Sequence, residues 1–221
     1  MMKYEFYFFD LDGTITDSAR GITNSVMYAL KKYGIKEENR EKLYAFIGPP
    51  LTDSFQKYYG FSKEQSWKAV EYYREYYKDQ GIFECEVYEG IKSTLSTIQK
   101  NGKKAVIATS KPEIYAKRII EHFQLNSYFD GVYGMELNGG RGTKSEVIQY
   151  ALRECNIKDL NHVLMIGDRS HDMIGAKENG IQSLGVLYGF GSEKELKEAG
   201  ADSIVHTTKE LNEWIEKRGK S

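Results

Sequence analysis

Apolar residues along this chain fall into two kinds of run. Short unbroken runs bounded by turn residues predict buried strands at Phe6–Phe9, 104–108 and 163–166, with further strands at 130–133, 183–187 and 204–205. Between them, apolar residues recur every three or four positions. This periodicity predicts helices over 90–100, 112–123, 143–155, 193–199 and 208–217, and another after Asp168 that stops at Gly180. Strands alternating with helices predict a parallel sheet covered on both faces.

The stretch from 17 to 84 breaks that alternation. Asp17-Ser18 forms a helix start, followed by Ile22, Val26, Ala29, Leu30 and Tyr33 at helical spacing and a stop at Gly34. A second helix is expected near 40–46. Pro49-Pro50 then forces a break, and 51–59 is helical again. Ser62 and Gln65 form a capping box for a helix reaching about Asp79, with Trp67, Val70, Tyr73 and Tyr77 on one face. The expected architecture is therefore an α/β, Rossmann-like parallel sheet with helices on both faces, built from 1–16 and 85–221. A small all-helical domain, 17–84, is inserted after the first strand, its aromatic stripes forming its own core.

Composition narrows the class without naming it. The 221 residues are 40% hydrophobic and 29% charged, and the formal net charge is −1. No overall field recruits a nucleic acid polymer or an acidic membrane, and charges interrupt every apolar run, so neither membrane spans nor a signal peptide is expected. Cys85 and Cys155 form no metal or redox motif and suit reduced thiols in the cytoplasm. The four histidines lack zinc-ligand spacing. Most of the 17 tyrosines are expected in packing.

Candidate chemistry gathers where strands end. The first strand stops in Asp10-Leu11-Asp12-Gly13-Thr14. Two carboxylates two residues apart repel, and a hard divalent cation with oxygen ligands relieves that. The strand at 104–108 ends in Thr109-Ser110, and Ser110-Lys111-Pro112-Glu113 resembles a capping box whose helix would aim N–H groups at an anion. Thr143-Lys144-Ser145-Glu146 is a second box, placing Lys144 at a helix N-terminus where a cation needs an anion or carboxylate opposite. The strand at 163–166 ends in Gly167-Asp168, with Asp172 four residues on. Each feature alone has an ordinary reading as a cap, turn or surface residue. All four, in order and at strand ends, point to one phosphate site, because open parallel sheets bind ligands there. Two glycine-rich stretches are discounted. Gly142-Thr143-Lys144-Ser145 lacks the P-loop's spacing, and Gly185 to Gly191 lacks the G-x-G-x-x-G spacing.

This ordered set resembles the haloacid dehalogenase-like hydrolase superfamily over nearly the whole chain. Asp10 to Thr14 matches its first motif, Thr109 its second, Lys144 its third, and Gly167-Asp168 with Asp172 its fourth. The helical insert resembles a C1-type cap. Phe46 to Leu51 and Gly142 to Ile148 are similar to the phosphoglycolate phosphatase and 5′-nucleotidase-like branch, and the K-P-x-P pattern of the sugar-phosphate mutase branch is missing. The resemblance implies that Asp10 is the nucleophile, forming an aspartyl-phosphate, and that Asp12 is the general acid and base. Mg2+ would be held by Asp10, the Asp12 carbonyl, Asp168 and Asp172, with Asp172 as either ligand or supporting partner. Gly13, Thr109, Ser110 and Lys144 would grip the phosphoryl group. The expected activity is a magnesium-dependent phosphatase acting on a small phosphorylated metabolite, led by phosphoglycolate and nucleoside 5′-monophosphates. A β-phosphoglucomutase-type mutase is the alternative, and a receiver-like phosphate acceptor is disfavoured because it needs no lid. Insert loops near Arg20 and Gly48 to Leu51 would select the substrate. Gly48-Pro49-Pro50-Leu51 offers no side-chain donor for gripping a reoriented sugar, which favours hydrolysis. Either a monomer or a homodimer is compatible.

Overall fold

The structure is a computed structural model that describes residues 4–137 and 140–219. The chain divides into two compact units, one of residues 1–16 and 87–221, the other of residues 17–86.

The first unit is built on a six-stranded sheet. β1 (Phe6–Phe9) lies in its middle, flanked by β4 (Lys104–Pro112) and β6 (Val163–Gly167). β5 (Gly131–Met135) lies outside β4, and β7 (Gln182–Val186) and β8 (Ser203–Val205) extend the other side. Every pairing is parallel, and Phe9 sits level with Ile107 on one neighbour and Ile166 on the other. The chain builds outward from β1 through β4 to β5, then returns to build β6, β7 and β8 on the opposite flank. β1 is thus the point where the winding direction reverses, and the crevice above its carboxyl end is the expected ligand position.

Burial explains why β1 reads as an unbroken apolar run. Tyr7, Phe8 and Phe9 are all at most 1% exposed, as a strand covered on both faces requires. On one face Phe8, Val106 and Met165 pack with Val147, Ile148 and Ala151 of α6 (Lys144–Glu154) and Ala176 of α7 (Ser170–Glu178). α4 (Ile91–Lys100) and α9 (Thr208–Gly219) pack together and cover β4 and β8, burying Ile91, Leu95, Ile98, Leu211 and Ile215. α5 (Glu113–His122) packs on β4 and β5, and α8 (Glu193–Glu198) on α7.

The second unit is helical: α1 (Ala19–Lys32), α2 (Leu51–Tyr59) and α3 (Lys63–Tyr77). Residues 40–46, expected as an α-helix, form a 3-10 helix started by Asn39, whose side chain accepts from the Glu41 N–H. The Ser62–Gln65 capping box forms as read. Phe46, Phe55, Val70, Tyr73 and Tyr77 are buried within this unit, but Trp67, assigned to the same face, is 43% exposed. Where the chain passes between the units, β2 (Thr16–Asp17) and β3 (Glu86–Val87) form a two-stranded sheet. Among the described residues, no helix is long and apolar enough to cross a membrane.

Candidate active site

The sheet register brings three strand ends together. The Asp10 N–H donates to the Ile166 carbonyl at 2.9 Å, so Asp10 leaves β1 beside the end of β6. Beyond it the chain closes a tight turn, in which the Gly13 N–H donates to Thr16 O at 2.7 Å. Gly13 has φ +85°, and a Cβ there would fall 2.2 Å from an Asp168 carboxylate oxygen. Only glycine fits both the backbone and the space.

Lys144 is the hub. Its ammonium lies 2.7 Å from Asp10 Oδ1, 2.8 Å from Asp172 Oδ1 and 3.0 Å from the Ala108 carbonyl. The side chain is 3% exposed. Burial works against the charge, but Asp10 and Asp172 outweigh it and hold the Lys144 pKa above the usual lysine value. The Thr143 capping box forms as read, with the Glu146 N–H donating to Thr143 Oγ1 and the Thr143 N–H to Glu146. The anion that a cation at a helix N-terminus requires is thus supplied by two carboxylates.

Asp168 is fully buried at the end of β6. Thr14 donates its hydroxyl to Oδ1 at 3.2 Å and the Phe190 N–H donates to Oδ2 at 2.8 Å. Burial first, then Asp172 and Asp10, raise its pKa well above the ordinary carboxylate value. Asp172 is raised to about 6 by burial, opposed by Lys144 and reinforced by Asp10. The Arg169 N–H donates to Asp172 Oδ2 at 3.1 Å. Carboxylate oxygens of Asp10, Asp168 and Asp172 lie within 4.8 Å of one another. An all-oxygen, buried and mutually repelling set of this kind fits a hard divalent cation.

The carboxylate of Asp12 does not join that trio. Its Oδ2 lies 2.9 Å from the ammonium of Lys111, whose side chain is 4% exposed. Two carboxylates two residues apart imply a shared cation, but Leu11 to Thr16 is a tight turn, not extended strand, and the Asp12 carboxylate pairs with Lys111 instead. The sequence predicts a capping box over 110–113, which gives Lys111 no role in the site. That box is not formed: β4 runs on to Pro112, and Pro112 starts α5 without a side-chain cap. β4 pairs Thr109 with Gly134 and Pro112 with Met135, leaving Ser110 and Lys111 as extra residues in an irregular stretch. Such a bulge re-aims side chains at a strand end. Thr109 is buried and accepts the Lys111 N–H at 3.2 Å, and Ser110 follows half-buried. The available signal was a lysine directly after a polar pair at the end of an apolar strand.

Comparison with known proteins yields consistent relatives. A family model described as haloacid dehalogenase-like hydrolase matches residues 7–186. A 5′-nucleotidase of Pseudomonas aeruginosa is 44% identical over 196 residues, 89% of this chain and 88% of that protein. The tyrosine-protein kinase PtkA of Mycobacterium tuberculosis is 33% identical over 94% of this chain and 71% of its own length. Among solved structures, a predicted phosphatase from Clostridium acetobutylicum superimposes with a TM-score of 0.93 at 49% identity, covering 96% of this chain and 98% of that one.

Proposed function

From the premise that this chain belongs to the haloacid dehalogenase-like hydrolase family and is a phosphoric monoester hydrolase, we propose that it cleaves a small phosphomonoester through an aspartyl-phosphate on Asp10. The observation that carries this reading is the buried set of Asp10 and Asp168, at the carboxyl ends of adjacent strands, with Lys144 and Asp172 from the first turns of α6 and α7. A nucleoside 5′-monophosphate is the leading substrate class, supported by the 5′-nucleotidase relative that matches 89% of the chain. Phosphoglycolate is the second.

The geometry supports a division of labour. A carboxylate oxygen of Asp10 attacks phosphorus while the bond to the leaving oxygen breaks. Asp12 delivers a proton to that oxygen, then takes one from the water that releases inorganic phosphate and restores Asp10. Lys144 holds Asp10 in place and offsets negative charge on the phosphoryl oxygens. Gly13, Thr109 and Ser110 line the same turn and strand end and would complete the phosphoryl grip. Asp172 is tied to Lys144 and the Arg169 amide, and so orients the lysine as well as adding charge. Asp10, Asp168 and the Asp12 carbonyl would hold Mg2+, with Asp172 beside them. When bound, the ion screens the approach of an anionic phosphoryl group to a carboxylate.

The test is a panel of phosphorylated metabolites with purified protein, read as inorganic phosphate released. Nucleoside 5′-monophosphates are expected to lead. Efficient conversion of glucose 1-phosphate to glucose 6-phosphate, with phosphate release negligible across the panel, would overturn the hydrolase reading in favour of a mutase.

A further inference from the structure

The glycine-rich segment Gly185 to Gly191 has the wrong spacing for a dinucleotide loop, and phosphoryl transfer as described leaves it without a role. Its tertiary position gives it one. After β7, residues 188–191 close over the acidic end of the site. The Phe190 N–H donates to Asp168 Oδ2 at 2.8 Å. The Tyr188 hydroxyl donates to the Thr14 carbonyl at 3.0 Å, and Thr14 in turn donates its own hydroxyl to Asp168 Oδ1 at 3.2 Å. Tyr188 is held edge-on against Tyr88, ring centroids 5.1 Å apart, and the Tyr88 N–H donates to Ile15 O at 3.1 Å.

The backbones approach as closely as they can. A Cβ on Gly189 would lie 2.3 Å from the Gly13 carbonyl oxygen and 2.5 Å from Asp168 Cβ, and one on Gly191 would lie 1.8 Å from the Asp168 carbonyl oxygen. Gly189 is not in the left-handed region, so only this contact demands glycine there.

We infer that Tyr188-Gly189-Phe190-Gly191 is a clamp that fixes the Asp168 carboxylate against the Gly13-Thr14 turn in the orientation a small divalent cation needs. Both Asp168 oxygens receive a donor from a different segment, so the carboxylate cannot rotate, while each oxygen keeps a lone pair for an ion. Tyr188, Gly189 and Phe190 are positioning residues, acting through Asp168 and Thr14. Outer hydrogen bonds of this kind typically set ligand orientation and metal affinity. The inference rests on the reading of Asp168 as a metal ligand.

The experiment titrates Mg2+ alone and Ca2+ alone into metal-free wild type, Tyr188→Phe, Gly189→Ala and Asp168→Asn, by calorimetry, with melting recorded for each metal-free protein. A fixed carboxylate matters most for Mg2+, which demands near-ideal octahedral geometry, and less for the more adaptable Ca2+. Gly189→Ala is expected to lose about tenfold or more in Mg2+ affinity, and Tyr188→Phe about threefold, the size of one neutral hydrogen bond. Ca2+ affinity should fall less in both. If Gly189→Ala does not fold, Tyr188→Phe decides by the same readout. Unchanged Mg2+ affinity overturns the clamp, as does a loss shared equally by Ca2+ and mirrored in the metal-free melting temperature. Asp168→Asn separates the two levels: lost Mg2+ affinity there with wild-type behaviour at 188 and 189 removes the clamp alone. Undiminished affinity in Asp168→Asn removes the metal site and the clamp with it.

Discussion

Lys144 shows what a single residue does in this site. It is a buried cation serving two buried carboxylates at 2.7 and 2.8 Å. Removing the cation strands both carboxylates without compensation, whereas losing the charge on Asp10 leaves Lys144 paired with Asp172. Lys144→Met is therefore expected to destabilise the metal-free protein by about 3 kcal/mol, measured by urea unfolding, and to remove most turnover. Wild-type stability in that variant would mean that Asp10 and Asp172 find other partners. Asp10→Asn isolates chemistry from folding: an amide keeps the shape but is a far poorer nucleophile and metal ligand. Turnover should disappear while the melting curve survives. Normal activity in well-folded Asp10→Asn protein, with deamidation excluded by mass spectrometry, would sink the aspartyl-phosphate mechanism.

At the scale of elements, what matters is how each strand or helix end is delivered. α6 begins at Lys144, and the Thr143–Glu146 box defines where it begins. Thr143→Ala removes the acceptor for the Glu146 N–H and is expected to cost about 1 kcal/mol of stability. Because the frayed turn carries Lys144, kcat should fall by more than the small unfolded fraction explains. An unaltered kcat would show that Asp10 and Asp172 alone seat the lysine. β4 delivers its end differently. Its irregular pairing with β5 between Thr109 and Pro112 turns Lys111 onto Asp12. The close approach of Gly134, where a Cβ would lie 2.4 Å from Lys111 O, holds that bend from the neighbouring strand.

For the whole molecule, the site is a concentration of like charge held together by the fold, and stability should report it. Burial and mutual repulsion raise Asp168 well above the ordinary carboxylate value and Asp172 to about 6. A carboxylate whose pKa is higher folded than unfolded favours the folded state when protonated. That contribution is complete below the unfolded value and is lost as pH rises through the folded one. Metal-free protein should accordingly lose stability as pH rises from about 5 to 7, spanning the Asp172 value of about 6. Saturating Mg2+ should flatten the trend, because the ion binds the ionised form and stabilises the folded state by mass action. Thermal melting across pH, with a chelator and then with Mg2+, tests both. A metal-free melting temperature that climbs over that pH range would contradict the reading.

Much of this was already determined by local sequence. Strands buried on both faces must be continuously apolar, so Phe6–Phe9 announced a buried strand without a partner being known. The boxes at Ser62 and Thr143 are satisfied within four residues and therefore could be read directly. Asp10, Asp168, Thr109 and Lys144 were legible because each stands where an apolar strand or helix pattern breaks. Tertiary structure decided what depends on distant backbone. The order β5-β4-β1-β6-β7-β8 placed Asp10 between the ends of β4 and β6. The irregular β4–β5 pairing undid the expected cap at Ser110 and sent Lys111 to Asp12. The turn after β1 kept Asp12 out of the carboxylate trio. The loop at 188–191 reached Asp168 across a sequence separation no local pattern encodes. Local hydrogen bonds and periodicity are written within a few residues, whereas register, bulges and backbone-to-backbone approach exist only once strands have met.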